Sequence, residues 1–248
     1  MKITFFGAGH GVPEPNRKCS STMIEACGNR YIIDMGSQAI EDLVTRRVPL
    51  ETLKAVFITH MHGDHTNGLM SFIDLCSWFW ELKNANPKFY LPGDLDRSKA
   101  AITEWLACNG TKIRPFEFLP VNEGVLFDDG ALRVTAYRTK HTDSSFSYLL
   151  EAEGKRVLFS GDLNYDGPAK ANDFPVAALE KPVDLAVCEM AHFEATEYYP
   201  ILKGNKSIKK LCFNHYSPRF MVTLSQALKD LAADYEVFLA ADGMEIEV

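Results

Sequence analysis

Three histidines and one aspartate within six residues form the densest group of potentially reactive side chains in the sequence. They stand in the run Thr59-His60-Met61-His62-Gly63-Asp64-His65, whereas the whole chain of 248 residues holds only seven histidines. Imidazole nitrogens and carboxylate oxygens are ligands for Zn²⁺ and other divalent first-row metals. His60 and His62 are two positions apart, so on an extended segment they point to the same side and can share an ion. The run therefore predicts a metal site.

The segments on either side of this run predict how it is positioned. The apolar segment Ala55-Val56-Phe57-Ile58 is short and partly β-branched, which predicts a buried strand. Polar residues 66–68 then lead into an apolar stretch, residues 69–75, that is predicted to be helical. The histidines are thus expected on a loop that leaves a buried strand, a common place for ligand sites. Asp64 and His65 follow a bend that glycine permits and can face a second ion nearby.

Three further candidate ligands each follow an apolar run, as His60 does. An isolated histidine or aspartate at a strand end is more often structural, so each candidate is weak when taken singly. Their recurrence at strand ends nevertheless predicts one shared pocket. The candidates are His141 after residues 132–137, Asp162 after residues 156–159 and His215 after residues 211–213.

Composition excludes several classes of protein. The formal net charge of −7 argues against a protein whose whole surface grips nucleic acid, although it leaves a local basic rim open. No window approaches 18 uninterrupted apolar residues, so we expect no membrane span. The six cysteines are scattered and the N-terminal segment lacks the pattern of a signal peptide, which predicts a cytoplasmic protein. Strands and helices alternate without a linker, so residues 1–248 are predicted to form one domain.

The His-x-His-x-Asp-His pattern after an apolar strand resembles the metallo-β-lactamase superfamily of hydrolases. With the three later candidates it matches the five ligand motifs of the superfamily in their order. The resemblance implies an α/β (α+β) fold, a four-layer αβ/βα sandwich with two mixed β-sheets flanked by helices. It also implies two divalent metal ions per chain, zinc by default, with manganese or iron as alternatives. The implied ligands are His60, His62 and His141 for one ion, and Asp64, His65 and His215 for the other, with Asp162 bridging them.

Other stretches resemble the ribonuclease Z and phosphodiesterase branch of the superfamily. They are Gly7–Pro13, Phe146-Ser147-Tyr148 after His141, and the run from Asn214 to Phe220. The chain departs from the tRNA-processing enzymes because a Gly/Pro-rich arm is not visible and the chain is acidic. The glutamate that those enzymes place shortly before Ser-Gly-Asp is also replaced here by Val157-Leu158-Phe159. Members of the branch are often dimers, so a homodimer is one expectation.

The same resemblance suggests roles for four residues beside the ligands. Asp34, in an Asp-x-Gly motif, is expected to orient a ligand histidine, although a carboxylate at a helix start is the alternative. His192 lies at the distance before His215 where the branch has its proton donor, and a buried structural histidine is its alternative. Arg219 is expected to bind a phosphate or else to form an internal ion pair. His10 is a candidate for substrate contact.

These features together predict a binuclear metal-dependent hydrolase, and a phosphodiesterase is the leading hypothesis. Two ions would activate a water molecule that attacks phosphorus, with Asp64 aligning it and His192 protonating the leaving oxygen. The substrate would be a small nucleotide-like diester or a nucleic-acid end. The alternatives are a tRNA 3′-endonuclease and an ester, thioester or lactone hydrolase on the same ions. A non-catalytic metal-binding protein is a further alternative, which the complete ligand set disfavours.

Overall fold

Two mixed β-sheets of seven strands each form the centre of the computed structural model, which describes residues 1–12, 14–163 and 173–248. The strands of the first sheet are β1 (Lys2–Gly7), β2 (Ser21–Ala26), β3 (Asn29–Met35), β4 (Leu53–Phe57), β5 (Lys88–Leu91), β6 (Phe118–Pro120) and β14 (Glu245–Glu247). Their order is β14-β1-β2-β3-β4-β5-β6. The sheet is antiparallel from β14 to β3 and parallel from β3 to β6.

The second sheet repeats this arrangement. Its strands are β7 (Gly124–Asp128), β8 (Arg133–Thr139), β9 (Ser145–Ala152), β10 (Lys155–Phe159), β11 (Val183–Met190), β12 (Ile208–Tyr216) and β13 (Glu236–Leu239). Their order is β13-β12-β11-β10-β9-β8-β7, with parallel pairing from β10 to β13 and antiparallel pairing from β7 to β10. The parallel half of each sheet therefore carries strand ends of the kind that form ligand sites.

Helices cover the outer face of both sheets. The α-helices are α1 (Ala39–Thr45), α2 (Gly63–Trp78), α3 (Leu95–Cys108), α4 (Tyr199–Leu202) and α5 (Met221–Leu231). Short 3-10 helices cover Leu50–Thr52, Trp80–Leu82, Val176–Glu180, Ala195–Tyr198 and Pro218–Phe220. Among the described residues, no helix has both the length and the apolar character that crossing a membrane requires.

Alternation of side chains along the strands gives three apolar layers. The layer between the sheets joins residues of the first sheet, such as Phe5 and Phe57, to Phe146 and Tyr148 of the second. A second layer packs the first sheet against α1, α2 and α3, and a third packs the other sheet against α4 and α5. This order of helix, sheet, sheet and helix confirms the predicted four-layer αβ/βα sandwich.

Two local predictions were wrong. Helix α2 begins at Gly63, so Asp64 and His65 lie in its first turn rather than on a loop. A carboxylate is favoured there by the helix dipole, which explains why the helix starts early. His215 lies within β12 rather than after it, and its φ of 52° bends the strand close to its end. The stretch Gly7–Pro13 forms the end of β1 and a glycine-rich loop, and its last residue, Pro13, lies outside the described residues.

Candidate metal centre

The ends of β4 and β10 bring the first ligands together because hydrogen bonds tie the two sheets at this edge. The Phe146 backbone N–H, on β9, donates to the carbonyl of Thr59 at 3.0 Å, one residue before His60. The Tyr148 hydroxyl donates to the carbonyl of Ile58 at 2.6 Å. Since β9 pairs with β10, these bonds place the end of β4 beside Asp162.

One carboxylate oxygen of Asp162 lies at the middle of the site. Its Oδ2 atom is 3.4 to 3.7 Å from the Nε2 atoms of five imidazole rings, and the Asp162 residue is only 2% exposed. The rings are those of His60, His65, His141, His192 and His215. Such a position suits a carboxylate that contacts two ions at once.

The other predicted ligands fall into two groups on either side of Asp162. In the first group, His62 Nδ1 lies 3.0 Å from His60 Nε2 and 3.2 Å from His141 Nε2. In the second, Asp64 Oδ2 lies 3.5 Å from His65 Nε2 and 3.6 Å from His215 Nε2. Each group offers three ligand atoms within 4.8 Å of one another. This division is the one that the sequence resemblance implied.

The chemistry of these atoms fits divalent cations. The Nε2 atom of His65 is buried and forms no hydrogen bond to any residue of the described ranges. It lies 3.5 Å from a carboxylate oxygen of Asp64 and 3.5 Å from one of Asp162. A buried imidazole nitrogen without a hydrogen bond is costly, and a metal ion between it and the carboxylates removes that cost. The cluster therefore has the composition and the electron-pair donors of a metal site.

Protein groups behind the rings fix their orientation. Asp34 is buried, and its Oδ2 lies 2.7 Å from His65 Nδ1. The same carboxylate accepts hydrogen bonds from the backbone N–H and hydroxyl of Thr59. The Nδ1–H of His215 donates to the carbonyl of Gly9 at 3.1 Å. Partners of this kind select the ring tautomer that leaves Nε2 free for a metal.

Charges within the cluster shift its titration. Burial raises the pKa of the Asp162 carboxyl, but the surrounding imidazoles outweigh burial and leave the pKa well below its usual range. Burial lowers the pKa of His65, yet Asp162 and Asp34 raise it overall. For His60, burial and the neighbouring imidazoles together lower the pKa. These directions favour a neutral His60 and an ionised Asp162, which are the forms that bind metal, whereas His65 must release a proton when it binds one.

His192 occupies the rim of the cluster, with a carboxylate behind it that no sequence motif indicates. His192 Nδ1 lies 2.9 Å from Oε1 of Glu189, a residue at the end of β11 that is 3% exposed. The backbone N–H groups of Leu163 and Ala191 also donate to this carboxylate. Burial lowers the pKa of His192, but Glu189 and then Asp162 outweigh burial and raise it to about 9. The only sequence signal for Glu189 is an acidic residue inside an apolar strand.

The two predicted substrate contacts lie outside these ligand groups. His10 Nε2 is 3.0 Å from Oε1 of Glu14, and burial lowers the pKa of His10. Arg219 is exposed, with its guanidinium 4.6 Å from the centre of the Phe220 ring. Within the described residues Arg219 forms no ion pair, and both its phosphate contact and the alternative of an internal ion pair stay predictions.

Comparisons with known proteins agree with this architecture. Ribonuclease Z of Brevibacillus brevis is 27% identical over 89% of this chain and 86% of its own length. Ribonuclease Z of Listeria monocytogenes is 30% identical over 67% of this chain, which spans 55% of that relative. The metallo-β-lactamase fold protein YhfI from Bacillus subtilis superposes with a TM-score of 0.74 at 18% identity, covering 99% of this chain and 98% of YhfI. A family model described as anti-Pycsar protein Apyc1 matches residues 1–173.

The fold and the histidine–aspartate cluster define the class of protein as a metal-dependent hydrolase of the metallo-β-lactamase superfamily, related to ribonuclease Z. This outcome confirms the superfamily and the hydrolase predicted from the sequence. Within that class, the chain belongs to the family of the anti-Pycsar protein Apyc1.

Proposed function

We propose that this protein is a phosphodiesterase that uses two divalent ions, zinc by preference, to hydrolyse a small nucleotide-like phosphodiester. The observation that carries the proposal is the position of Asp162 Oδ2 among five imidazole nitrogens, with a group of three ligands on either side. Two ions close together suit phosphoryl transfer because they stabilise both the attacking and the leaving oxygen. We further propose that residues 1–248 act as one domain, since both sheets supply ligands.

Each side chain around the centre has a task in this reaction. The two ligand groups and Asp162 would hold divalent ions, which would make a water molecule acidic enough to ionise near neutral pH. The Asp64 carboxylate orients that water towards phosphorus. His192, protonated and held by Glu189, faces the pocket from its rim and donates its Nε2 proton to the leaving oxygen. The Arg219 guanidinium, without a carboxylate partner in the described residues, binds a phosphate oxygen, and His10 contacts the remainder of the substrate.

A tRNA 3′-endonuclease is the second candidate, and the likeness to ribonuclease Z sequences favours it. Two features favour the smaller substrate instead. The net charge of −7 opposes broad phosphate-backbone binding. The connection from the 3-10 helix Trp80–Leu82 to β5 is also too short for a substrate-binding arm.

We propose a cytoplasmic location, supported by six cysteines that are all unpaired. A homodimer remains the proposed assembly.

The decisive experiment measures metal content and hydrolysis on one purified sample, with bis-p-nitrophenyl phosphate and p-nitrophenyl acetate as substrates. We expect about two ions per chain and phosphodiester turnover that Asp162→Asn abolishes. The matched control is Asp96→Asn, which changes an exposed carboxylate in the first turn of α3 and should keep full activity. Two ions with acetate hydrolysis alone would favour the acyl hydrolase, and a chain without metal would refute both.

A second assay separates the phosphodiester candidates. Cyclic nucleotides and a tRNA precursor with a 3′ trailer are offered to the metal-loaded protein at equal concentration and ionic strength. We expect turnover of the small substrate to exceed that of the RNA. Preferential cleavage of the precursor at its 3′ end would support the endonuclease instead.

A further inference from the structure

We propose that Asp242 is a positioning residue for the metal centre, acting on the ring of His215 through the glycine-rich loop that follows β1. Asp242 lies in the turn between β13 and β14 and is absent from the ligand groups. The inference rests on the metal centre alone and is independent of the bond that the protein hydrolyses.

The Asp242 carboxylate accepts hydrogen bonds from two segments that are distant in the sequence, one through each of its oxygens. Oδ1 accepts the backbone N–H of Ala8 at 2.9 Å, and Oδ2 accepts that of Lys18 at 2.7 Å. Hydrogen bonds to an ionised carboxylate are shorter and stronger than neutral ones. The turn itself is tied to β1, because Gly243 N–H donates to the Phe5 carbonyl at 2.7 Å and Phe5 N–H to the Met244 carbonyl at 3.0 Å. Asp242 is therefore a fixed anchor.

The two anchored segments enclose the peptide of Gly9. Gly9 N–H donates to the carbonyl of Lys18 at 2.8 Å, so Lys18 joins Asp242 through its N–H and Gly9 through its carbonyl. The approach is so close that a Cβ atom at position 9 would lie 2.9 Å from that carbonyl oxygen. Glycine is thus required here, and the position of its own carbonyl is determined by Ala8 on one side and Lys18 on the other.

The Gly9 carbonyl in turn orients the ring of His215, one of the proposed metal ligands. It accepts the Nδ1–H of His215 at 3.1 Å, and a carbonyl can only accept, so Nδ1 carries the proton. The Nε2 atom of the same ring then presents its lone pair to the site, 3.6 Å from Asp64 Oδ2 and 3.4 Å from Asp162 Oδ2. Removing such a partner behind a ligand histidine weakens metal binding by about 10- to 100-fold.

The test compares Asp242→Asn with the wild-type chain. The amide keeps the size of the side chain but only one acceptor oxygen, so one of the two N–H groups loses its partner. Zn²⁺ affinity is measured by competition with a chelator, and His215→Ala assigns the binding step that involves this ring. We expect that step to weaken by about tenfold in Asp242→Asn while the other step stays unchanged.

Nuclear magnetic resonance of the histidine side chains gives a second readout, independent of metal affinity. We expect the His215 Nδ1–H proton signal to shift or exchange faster in Asp242→Asn. The His65 Nδ1–H signal should stay in place, because its partner is Asp34. The control Asp129→Asn changes a carboxylate in another turn, whose Oδ1 accepts the backbone N–H groups of Ala131 and Leu132 and whose Oδ2 accepts the Tyr31 hydroxyl. It should change neither readout.

The outcomes separate positioning from general stability. Unchanged Zn²⁺ steps and an unchanged His215 signal in a folded Asp242→Asn variant would overturn the inference, as would equal weakening of both steps. If Asp242→Asn does not fold, Asp242→Ser, whose small polar side chain suits a turn, is judged by the same two criteria. A chain that binds Zn²⁺ in two steps but hydrolyses no phosphodiester would refute the proposed function and leave this inference intact.

Discussion

The Asp34 carboxylate and the His65 imidazole lie 2.7 Å apart, joining the end of β3 to the first turn of α2. Because Thr59 donates both its backbone N–H and its hydroxyl to the same carboxylate, Asp34 also holds the segment that leads to His60. One buried side chain therefore fixes a ligand of the second group and the approach to a ligand of the first.

Replacing Asp34 by asparagine should weaken metal binding. An amide has only one acceptor oxygen and cannot accept from both Thr59 N–H and His65 Nδ1–H. One buried donor therefore loses its partner. We expect Zn²⁺ affinity to fall by about 10- to 100-fold, measured by chelator competition. Asp74→Asn, which changes a carboxylate of α2 that accepts from the Thr111 hydroxyl, should leave the affinity unchanged. Equal affinities in the two variants would contradict the orienting role.

The role of His192 as proton donor predicts a dependence on the leaving group. In His192→Ala, kcat for a cyclic nucleotide, whose leaving ribose oxygen needs a proton, should fall by about 10²- to 10⁴-fold. Hydrolysis of bis-p-nitrophenyl phosphate should fall much less, because p-nitrophenolate leaves without protonation. Metal content is measured on the same samples and should not change. Equal losses for both substrates would assign His192 a structural role instead.

Glu189 is expected to act through His192, and a double-mutant cycle tests this. With the cyclic nucleotide as substrate, Glu189→Gln should lower kcat because it removes the carboxylate that holds the imidazolium. Added to His192→Ala, the same change should cause little further loss, since residues that act as a unit are not additive. Additive losses would mean that Glu189 acts elsewhere, for example through the backbone N–H of Leu163.

The sequence predicts a residue of this site only where that residue belongs to a recognisable motif. The seven candidate ligands stand in runs that match the ligand motifs of the superfamily, so residue type, spacing and that resemblance together indicate them. Glu189 and Asp242 have no such signal, because their importance lies in contacts with His192, Ala8 and Lys18 that only the folded chain creates.

Local structure shows the same division. Hydrophobic patterns predicted the strands that lead to the candidate ligands, whereas α2 begins at Gly63, before the apolar stretch 69–75 from which the helix was predicted. Two factors outweighed the polar character of that turn. One is the helix dipole beside Asp64, and the other is the packing of α2 on β3. The sequence pattern contains neither of them.

We expect the Asp184 carboxylate to contribute to stability in a pH-dependent way. It lies near the starts of β10 and β11, at the ends of these strands opposite the metal centre. Burial raises its pKa, but the Lys209 ammonium at 2.8 Å and the Arg156 backbone N–H at 2.9 Å lower it overall. Because the pKa is lower in the folded than in the unfolded chain, this stabilisation is present above the ordinary aspartate pKa. It disappears as the pH falls through the folded value.

The corresponding measurement is urea unfolding between pH 6 and pH 3. Asp184→Asn should lower the free energy of unfolding at pH 6 by about 1 to 2 kcal/mol, and the difference from wild type should shrink as the pH falls below the ordinary aspartate pKa of about 3.9. Glu123→Gln, at an exposed position just before β7, should show little difference at any pH. A deficit that stays constant with pH would attribute the effect of Asp184 to packing rather than to its charge.

At Gly36, the first turn of α2 approaches the end of β3 closely, and we expect the second ligand group to need this approach. A Cβ atom at position 36 would lie 1.6 Å from the backbone oxygen of Asp64, so alanine forces the first turn of α2 away from the sheet. Gly36→Ala should lower the free energy of unfolding by about 3 kcal/mol. It should also weaken the metal-binding step that His215→Ala identifies, because Asp64 and His65 move with that turn. Gly63→Ala is the matched control, since its Cβ would meet only the flexible Asn67 amide at 3.0 Å. If both variants bound Zn²⁺ as the wild type does, the close approach would have no part in assembling the metal centre.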